Sequence, residues 1–462
     1  MHKVIINGKT VYVNNGTLLS DVLNTSDKSV IHICGGKGIC KKCLVTVNGK
    51  DELSCQYKIQ SDITVTVKNE GAILSETGAQ VTDIITENLC FALDIGTTTL
   101  ALAVVSPSAE KIIKVITRNN PQRIFGADVI ARIDYCRKNG EKELQDVIIS
   151  EVNSMIEESG LTAEKLFVSG NTTMLHLFFG VDCSSIGVAP YTPVFLESKN
   201  SAAETLGIIG VKTIISLPSI ASFVGADLVA GLEFVGMPRN GKHNLLVDLG
   251  TNAEIVLYSQ NSALCTSAAA GPCFEGANIS CGMSAVAGAV YSYSENGYKT
   301  VSDAPVKGIC GTGLVDIVAY LVDNGIVDET GYMENPFDVA EGVSLSPSDI
   351  RQYQLAKSAV YSAIMTLIEM KNVSYDDIEK LYISGGFSAK INIENAVKTG
   401  LLPEELKDKC KAINNSSLLG TVKYACEEKD LSVYVDNSDY VDLSLNPLFS
   451  DLFIKNMMFD QK

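Results

Sequence analysis

An apolar strand that ends in a carboxylate, a glycine and a run of hydroxyl-bearing residues occurs twice in this chain, and the duplication restricts the fold more than any other feature. The stretch Ala92-Leu93-Asp94-Ile95-Gly96-Thr97-Thr98-Thr99 returns as Leu245-Leu246-Val247-Asp248-Leu249-Gly250-Thr251-Asn252. Each copy runs into a second strand, Leu100 to Val105 in the first and Ala253 to Tyr258 in the second. A further matched pair follows later in each half, Lys165-Leu166-Phe167-Val168-Ser169-Gly170-Asn171 against Lys380-Leu381-Tyr382-Ile383-Ser384-Gly385-Gly386. From Leu89 onward strands alternate with longer helical stretches, the pattern of a layered α/β fold. Two copies of one unit predict two similar lobes facing each other across a cleft, where ligands normally sit. Helical period places Leu144, Val147, Ile148, Val152 and Ile156 on one face of Glu143 to Glu158, and Leu355, Ala359, Ile364 and Leu367 on one face of Leu355 to Met370. Both read as core stripes.

The first 68 residues have a different texture. Short strands are expected at Lys3 to Ile6, Lys9 to Val13, Cys43 to Val47 and Ile63 to Val67, with Asn-Gly turns at Asn7-Gly8, Asn15-Gly16 and Asn48-Gly49 and one short helix over Thr17 to Leu23. A linker at 69–88 separates this small β-rich module from the first lobe, 89–242, and the second lobe fills 243–462.

The module carries a tight cysteine cluster. Cys34, Cys40 and Cys43 form C-x5-C-x2-C, and Cys55 follows after a strand and a turn. Four thiolates satisfy a [2Fe–2S] cluster, two on each iron. Gly35, Gly36 and Gly38 let the backbone fold closely around the sulfides and turn amide N–H groups toward their negative charge. A zinc site or incidental thiols are the alternatives, but zinc normally shows two closely spaced pairs where here there is one. Lys37, Lys41 and Lys42 are either ordinary surface lysines or a patch that guides an acidic redox partner. Cys265, Cys273, Cys281 and Cys310 lie in Ala- and Gly-rich sequence and read as packed core or loop residues, with a second metal site as the alternative.

The lack of a basic-then-apolar leader and of any membrane-length apolar run predicts a cytoplasmic chain that neither spans nor enters a membrane. In that compartment thirteen cysteines do not form a disulfide framework. A formal charge of −17 and the absence of Trp argue against nucleic acid as a partner.

In each repeat, a carboxylate at a strand end followed by a glycine and hydroxyls can wrap phosphate. Backbone N–H groups and the Thr97, Thr98 and Thr251 hydroxyls would donate to phosphoryl oxygens, while Asp94 and Asp248 would hold Mg²⁺ through its waters. Gly96, Gly250 and Asn252 complete the two turns, and Gly385-Gly386 suits close approach of an adenosine. Glu275 either reaches the phosphates or is an exposed structural glutamate. Gly236 to Lys242 matches G-x-x-x-x-G-K, but His243 follows it and it precedes a strand, so it reads as the connector between lobes. His176 is expected to be a satisfied core histidine, and His32 to be packing.

These motifs together resemble the reductive activators of corrinoid proteins. The resemblance rests on C-G-G-K-G-I-C-K-K-C from Cys34 to Cys43, L-S-C-Q from Leu53, D-I-G-T-T-T from Asp94 and G-N-T-T-M from Gly170. It continues in F-V-G-A-D from Phe223, D-L-G-T-N-A-E from Asp248, A-A-G-P-C-F-E-G from Ala269 and S-G-G-F from Ser384. It implies a β-grasp [2Fe–2S] ferredoxin-like module followed by a duplicated, two-lobed ATPase domain of the actin, sugar kinase and Hsp70 kind, which is ribonuclease H-like. ATP and Mg²⁺ would occupy the cleft, and cobalt(II) would be reduced to cobalt(I) on a corrinoid protein of a methyltransferase system. An external low-potential electron donor is implied, and a homodimer is one expected assembly. Longer members place a linker and a middle domain after the ferredoxin, so the short spacing here predicts a form that lacks them. The alternative activities are electron donation to another low-potential enzyme and a non-catalytic, nucleotide-gated redox sensor.

Overall fold

The computed structural model describes residues 1–6, 9–24, 44–67, 88–239, 241–386 and 388–459. Cys34, Cys40 and Cys43, the glycines and lysines around them, His32, Phe387 and nearly all of the 69–88 linker lie outside the described residues.

Five strands form the N-terminal sheet, in the order Lys9–Val13, His2–Ile6, Ile63–Thr66, Leu44–Val47, Lys50–Leu53. His2–Ile6 and Ile63–Thr66 pair in parallel and the remaining neighbours are antiparallel, as in a β-grasp module. The helix is Leu19–Asn24, and its Leu19, Val22 and Leu23 pack with Val4, Val45, Val47, Ile59 and Val65. The strand Lys50–Leu53 was not anticipated, because Lys50-Asp51-Glu52 carries no apolar alternation; it pairs as the sheet edge, where charges discourage further pairing.

Two six-stranded sheets follow, and the same inner order appears in both. In the first, Thr213–Ser216, Lys165–Gly170, Cys90–Ile95, Thr99–Ser106 and Lys111–Asn119 lie side by side, with Asn200–Ala202 at one edge. In the second, Cys410–Ala412, Ile378–Ser384, His243–Leu249, Ala253–Tyr258 and Ala263–Ala268 repeat them, with Ser438–Tyr440 at the opposite edge. Every inner pairing has the same sense in the two sheets: Cys90–Ile95 runs parallel to Lys165–Gly170 and antiparallel to Thr99–Ser106, as His243–Leu249 does to Ile378–Ser384 and Ala253–Tyr258. Cys90–Ile95 is buried along its whole length, as its near-continuous apolar sequence requires for a strand covered on both faces.

Each sheet is covered by a long helix. Lys142–Ser159 buries Leu144, Ile148, Val152, Met155 and Ile156 and stops at Gly160, whose φ of 71° is the left-handed conformation glycine adopts at little cost. Pro347–Lys371 starts in a capping box, with Ser346 and Asp349 each satisfying the other's backbone N–H. Its Leu355 is 39% exposed and not part of the core stripe, which runs instead through Ile350, Tyr353, Val360, Ile364 and Leu367.

Two further helices tie the halves together by crossing over. Ala226–Val235, which ends the first half, lies against the second sheet, where Gly231 leaves a Cβ position only 2.9 Å from both Leu246 Cδ2 and Ser416 Oγ. Ser416–Glu427 in turn covers the first sheet, with Leu418, Val422 and Ala425 packed on Cys90, Ala92, Ala101, Ala103, Val105 and Phe167. The two helices cross where a Cβ on Gly420 would fall 1.7 Å from Ala230 O, so a side chain at 420 would force them apart. Lys423 of one helix and Glu233 of the other close the crossing at 3.0 Å.

Candidate functional site

The two repeated strands stop on either side of a cleft with about 1150 Å³ of open space. Asp94, Gly96, Thr97, Thr98, Asp248, Gly250, Thr251, Asn252, Gly385 and Gly386, the ten residues singled out in the sequence, all line it.

Strand register explains their positions. Asp94 stands opposite Ser169 and Ile95 opposite Gly170; Asp248 stands opposite Ser384. Immediately beyond, the glycine of each Ser-Gly pair packs on the neighbouring strand's carbonyl. A Cβ on Gly170 would lie 2.7 Å from Ile95 O, and one on Gly385 would lie 2.1 Å from Leu249 O. Both sites therefore exclude side chains. Among the described residues nothing lies within 4 Å of a Cβ on Gly386, which borders the open cleft.

The first hairpin closes through Gly96 N donating to Thr99 O at 3.0 Å, and the second through Gly250 N donating to Asn252 O at 2.9 Å. Arg132, fully buried, braces the first. Its guanidinium donates to Thr97 O at 2.5 Å and Gly126 O at 3.0 Å, and burial, with Arg123 nearby, lowers its pKa to about 9. Asn171 caps the helix Thr172–Phe178 and donates from Nδ2 to Thr97 Oγ1 at 3.0 Å. Thr173, 1% exposed and lining the cleft, has an Oγ1 with no hydrogen-bond partner among the described residues. A buried hydroxyl left so is costly unless something in the cleft meets it.

Asp94 accepts from Ser417 Oγ at 2.7 Å and from Asn415 Nδ2 at 2.8 Å, both more than three hundred residues away in sequence. Ser416 and Ser384, whose hydroxyls are 2.7 Å apart, serve Asp248 in the same manner. Asp227 and Glu254 complete a ring of carboxylates. Burial raises all four pKa values: Asp248 to about 6, with Asp94 adding to the effect, and Asp227 to about 7, with Asp248 and Asp94 adding to it. Asp94 and Glu254 move in the same direction, Glu254 strongly and with help from Asp227 and Asp248. No group of three such ligands in metal-binding geometry occurs among the described residues, so a Mg²⁺ would need phosphate oxygens or waters to complete its shell. The donor set, the glycine cradles and the unmet Thr173 hydroxyl fit a nucleotide polyphosphate carried with its cation.

Glu275 is half-buried, not an exposed structural residue. It takes a hydrogen bond from Thr98 Oγ1 at 3.4 Å and another from Thr251 Oγ1 at 2.6 Å. Sequence reasoning gave no role to Asp227, Glu254, Arg132, Asn415 or Ser417. Asp227 and Glu254 lie within quoted motifs, whereas no spacing rule reaches from Asp94 to 415.

In the N-terminal module, Cys55 is 6% exposed and packs with the module core. The register pairs Leu44 with Leu53, so the chain that enters directly after Cys43 comes in at the hairpin end from which the chain leaves for Cys55. One described buried cysteine at that end, with three more in the adjoining sequence, fits the donor set of a [2Fe–2S] cluster. His176 is satisfied as expected, with Nδ1 2.7 Å from Thr172 O, Nε2 accepting from Val194 N at 3.0 Å, and the ring stacked on Phe195. Cys265 and Cys273 are buried, which pushes both thiols up to about 12. Gly236 to Lys242 leads directly into strand His243–Leu249, with no helix to form a P-loop.

This combination defines a class: an iron–sulfur ferredoxin module in one chain with an ATPase of the actin, sugar kinase and Hsp70 kind. The family model described as the 2Fe-2S iron-sulfur cluster binding domain matches residues 4–74, the RACo middle region matches 89–240, and the C-terminal ASKHA domain of RACo matches 242–462. The chain belongs to the family of reductive activators of corrinoid proteins.

It is 26% identical to the corrinoid activation enzyme RamQ of Eubacterium limosum, over 97% of each chain. It is 25% identical to a [Co(II) methylated amine-specific corrinoid protein] reductase of Methanosarcina barkeri, over 80% of this chain and 76% of that one. A solved reductive activator for corrinoid, iron-sulfur protein superposes with a TM-score of 0.74 at 25% identity, covering 99% of this chain and 98% of the other. The expected lack of a middle domain is overturned: the middle region is present as residues 89–240. The repeat of its D-I-G-T-T-T strand in the second half marks that stretch as an ATPase lobe, and its sheet does build one wall of the cleft.

Proposed function

We propose that this protein uses ATP to drive the one-electron reduction of a cobalt(II) corrinoid to cobalt(I) on a partner corrinoid protein of a methyltransferase system. The single observation that carries the reading is the union, in one chain of this family, of an iron–sulfur module with a cleft where two repeated aspartate hairpins converge. Cys34, Cys40, Cys43 and Cys55 would hold the [2Fe–2S] cluster, which supplies one-electron transfer when bound. An external low-potential donor would provide the electron, and a homodimer in the cytoplasm is the assembly we expect.

The division into a module at 1–68, a linker at 69–88 and lobes at 89–242 and 243–462 follows from this reading. Gly96, Thr97 and Thr98 from one lobe and Gly250, Thr251 and Asn252 from the other would grip the phosphates. Gly385 and Gly386 would border the adenosine. Asp94 and Asp248 would hold Mg²⁺ through waters, and that cation offsets the repulsion between phosphates and the carboxylate ring. ATP alters a partner only through a difference in affinity between two states, so its role is to favour one arrangement of the lobes over another.

The test is anaerobic reduction of a candidate corrinoid partner by the reduced protein, with and without ATP. The reading requires a faster rate with ATP and loss of that increment alone in Asp94→Ala. Equal rates with and without nucleotide would sink it.

A further inference from the structure

The acidic side chain that bridges the two hairpin hydroxyls is a feature of the cleft that a phosphate-binding role leaves unexplained. Glu275 Oε2 accepts from Thr251 Oγ1 at 2.6 Å while Oε1 accepts from Thr98 Oγ1 at 3.4 Å. The carboxylate thus spans one hydroxyl from each half of the molecule. A carboxylate offers only acceptors, as a phosphoryl group does, and each threonine hydroxyl has a single proton to give. A proton committed to Glu275 is not available to a phosphate oxygen.

The backbone that presents this side chain is fixed. Cys273 and Phe274, directly before it, are 2% and 1% exposed. Directly after it, Gly276 at φ +79° closes the turn, and a Cβ there would lie 2.4 Å from Met283 N. Burial raises the Glu275 pKa, while Thr251, Arg123 and Thr98 act to lower it. The side chain can rotate, but its Cα cannot retreat.

We infer that the Glu275 carboxylate competes with nucleotide phosphate for the Thr98 and Thr251 hydroxyls, and so limits how tightly the cleft retains nucleotide. This deepens the proposed function and rests on its assignment of the two hairpins to phosphate. Phosphate binding displaces the carboxylate from at least the short Thr251 contact and places new negative charge beside it. Both effects weaken binding, and together they keep nucleotide exchangeable. The 3.4 Å contact links Thr98 of the first lobe to a residue of the second, so a phosphate that also takes the Thr98 proton breaks a bond between the lobes as it makes others.

The experiment is binding of MgATP and MgADP to the full-length protein by titration calorimetry, comparing the wild type with Glu275→Gln and Glu275→Ala. Gln keeps the shape and removes the charge; Ala removes both competing oxygens. Both variants should bind about tenfold more tightly and release nucleotide more slowly, a gain that mere structural damage would not produce. Wild type that binds, with both variants equal or weaker, overturns the competition alone. Failure of the wild type and both variants to bind overturns the phosphate assignment together with it.

Discussion

Ser416 and Ser417, neighbours in the chain, serve carboxylates from opposite lobes. Ser417 Oγ donates to Asp94 at 2.7 Å, and Ser416 stands beside Asp248 with its hydroxyl 2.7 Å from Ser384 Oγ. Asn415 caps the same helix and gives its amide to Asp94 at 2.8 Å. One helix start therefore ties together the two repeated aspartates. Ser416–Glu427 also crosses Ala226–Val235 at Gly420, so the aspartate supports and the helix crossing sit on the same helix.

Removing these supports leaves buried acceptors unsatisfied, at a cost of about 1–3 kcal/mol each. Ser417→Ala should lower the ATP-dependent rate by roughly tenfold or more, with iron content and visible absorbance unchanged. Ser416→Ala should act through Asp248 with a similar size. Steady-state ATP turnover measured alongside iron analysis checks both; a loss of iron with either would place the serines in general folding and not at the cleft.

The two hairpins are alike in sequence and unlike in tolerance. A Cβ on Gly96 would lie 2.7 Å from Thr99 O, whereas on Gly250 the nearest atom is Asn252 O at 3.5 Å. Gly96→Ala should cost about 2–3 kcal/mol through distortion of a tight turn. Gly250→Ala should stay within about 0.5 kcal/mol of wild type. Thermal unfolding of the two variants side by side decides the matter, and equal losses would contradict the asymmetry.

Much of this architecture was legible because repetition is readable without a structure. The Asp94 and Asp248 strands, the Ser-Gly strand ends and the two covering helices all announced themselves by pattern. The pieces that escaped are those held by long-range geometry. Asn415 reaches Asp94 across 321 residues, and Arg132 gains its importance only from the Thr97 carbonyl it meets on folding. The sequence leaves Glu275 between a phosphate contact and an exposed structural glutamate, because no spacing rule ties it to Thr98 or Thr251, the two hydroxyls it meets on folding. The middle region was missed for another reason: a repeat signal shows likeness between halves and carries no information about how a family divides its domains.

Asp227 makes stability depend on pH in a definite direction. Its pKa is raised to about 7 by burial and by Asp248 and Asp94, from an ordinary value of 3.8. Between those values the folded protein binds the proton that the unfolded chain has lost, so stability is highest at the acid end of the window and falls as pH rises toward 7. Asp248 and Glu254 shift in the same sense and add to the slope. Asp227→Asn removes the charge, so its stabilisation relative to wild type should be about 2 kcal/mol larger at pH 8 than at pH 5. Denaturant unfolding without nucleotide or Mg²⁺ measures this, and a pH-independent difference would refute it.

Cys55 tests the redox module independently of the cleft. Its 6% exposure and its place beside the Leu44–Leu53 pairing put it in the module core, so substitution by serine replaces a soft thiolate with a poor iron ligand while changing volume little. Cys55→Ser, prepared anaerobically, should drop from about two irons per chain to well below one and lose its visible charge-transfer bands. Nucleotide affinity should stay at the wild-type level, since none of the described residues lining the cleft belongs to the module. Full iron occupancy in this variant would exclude Cys55 from the ligand set, and the fourth donor would then have to be sought elsewhere in the chain.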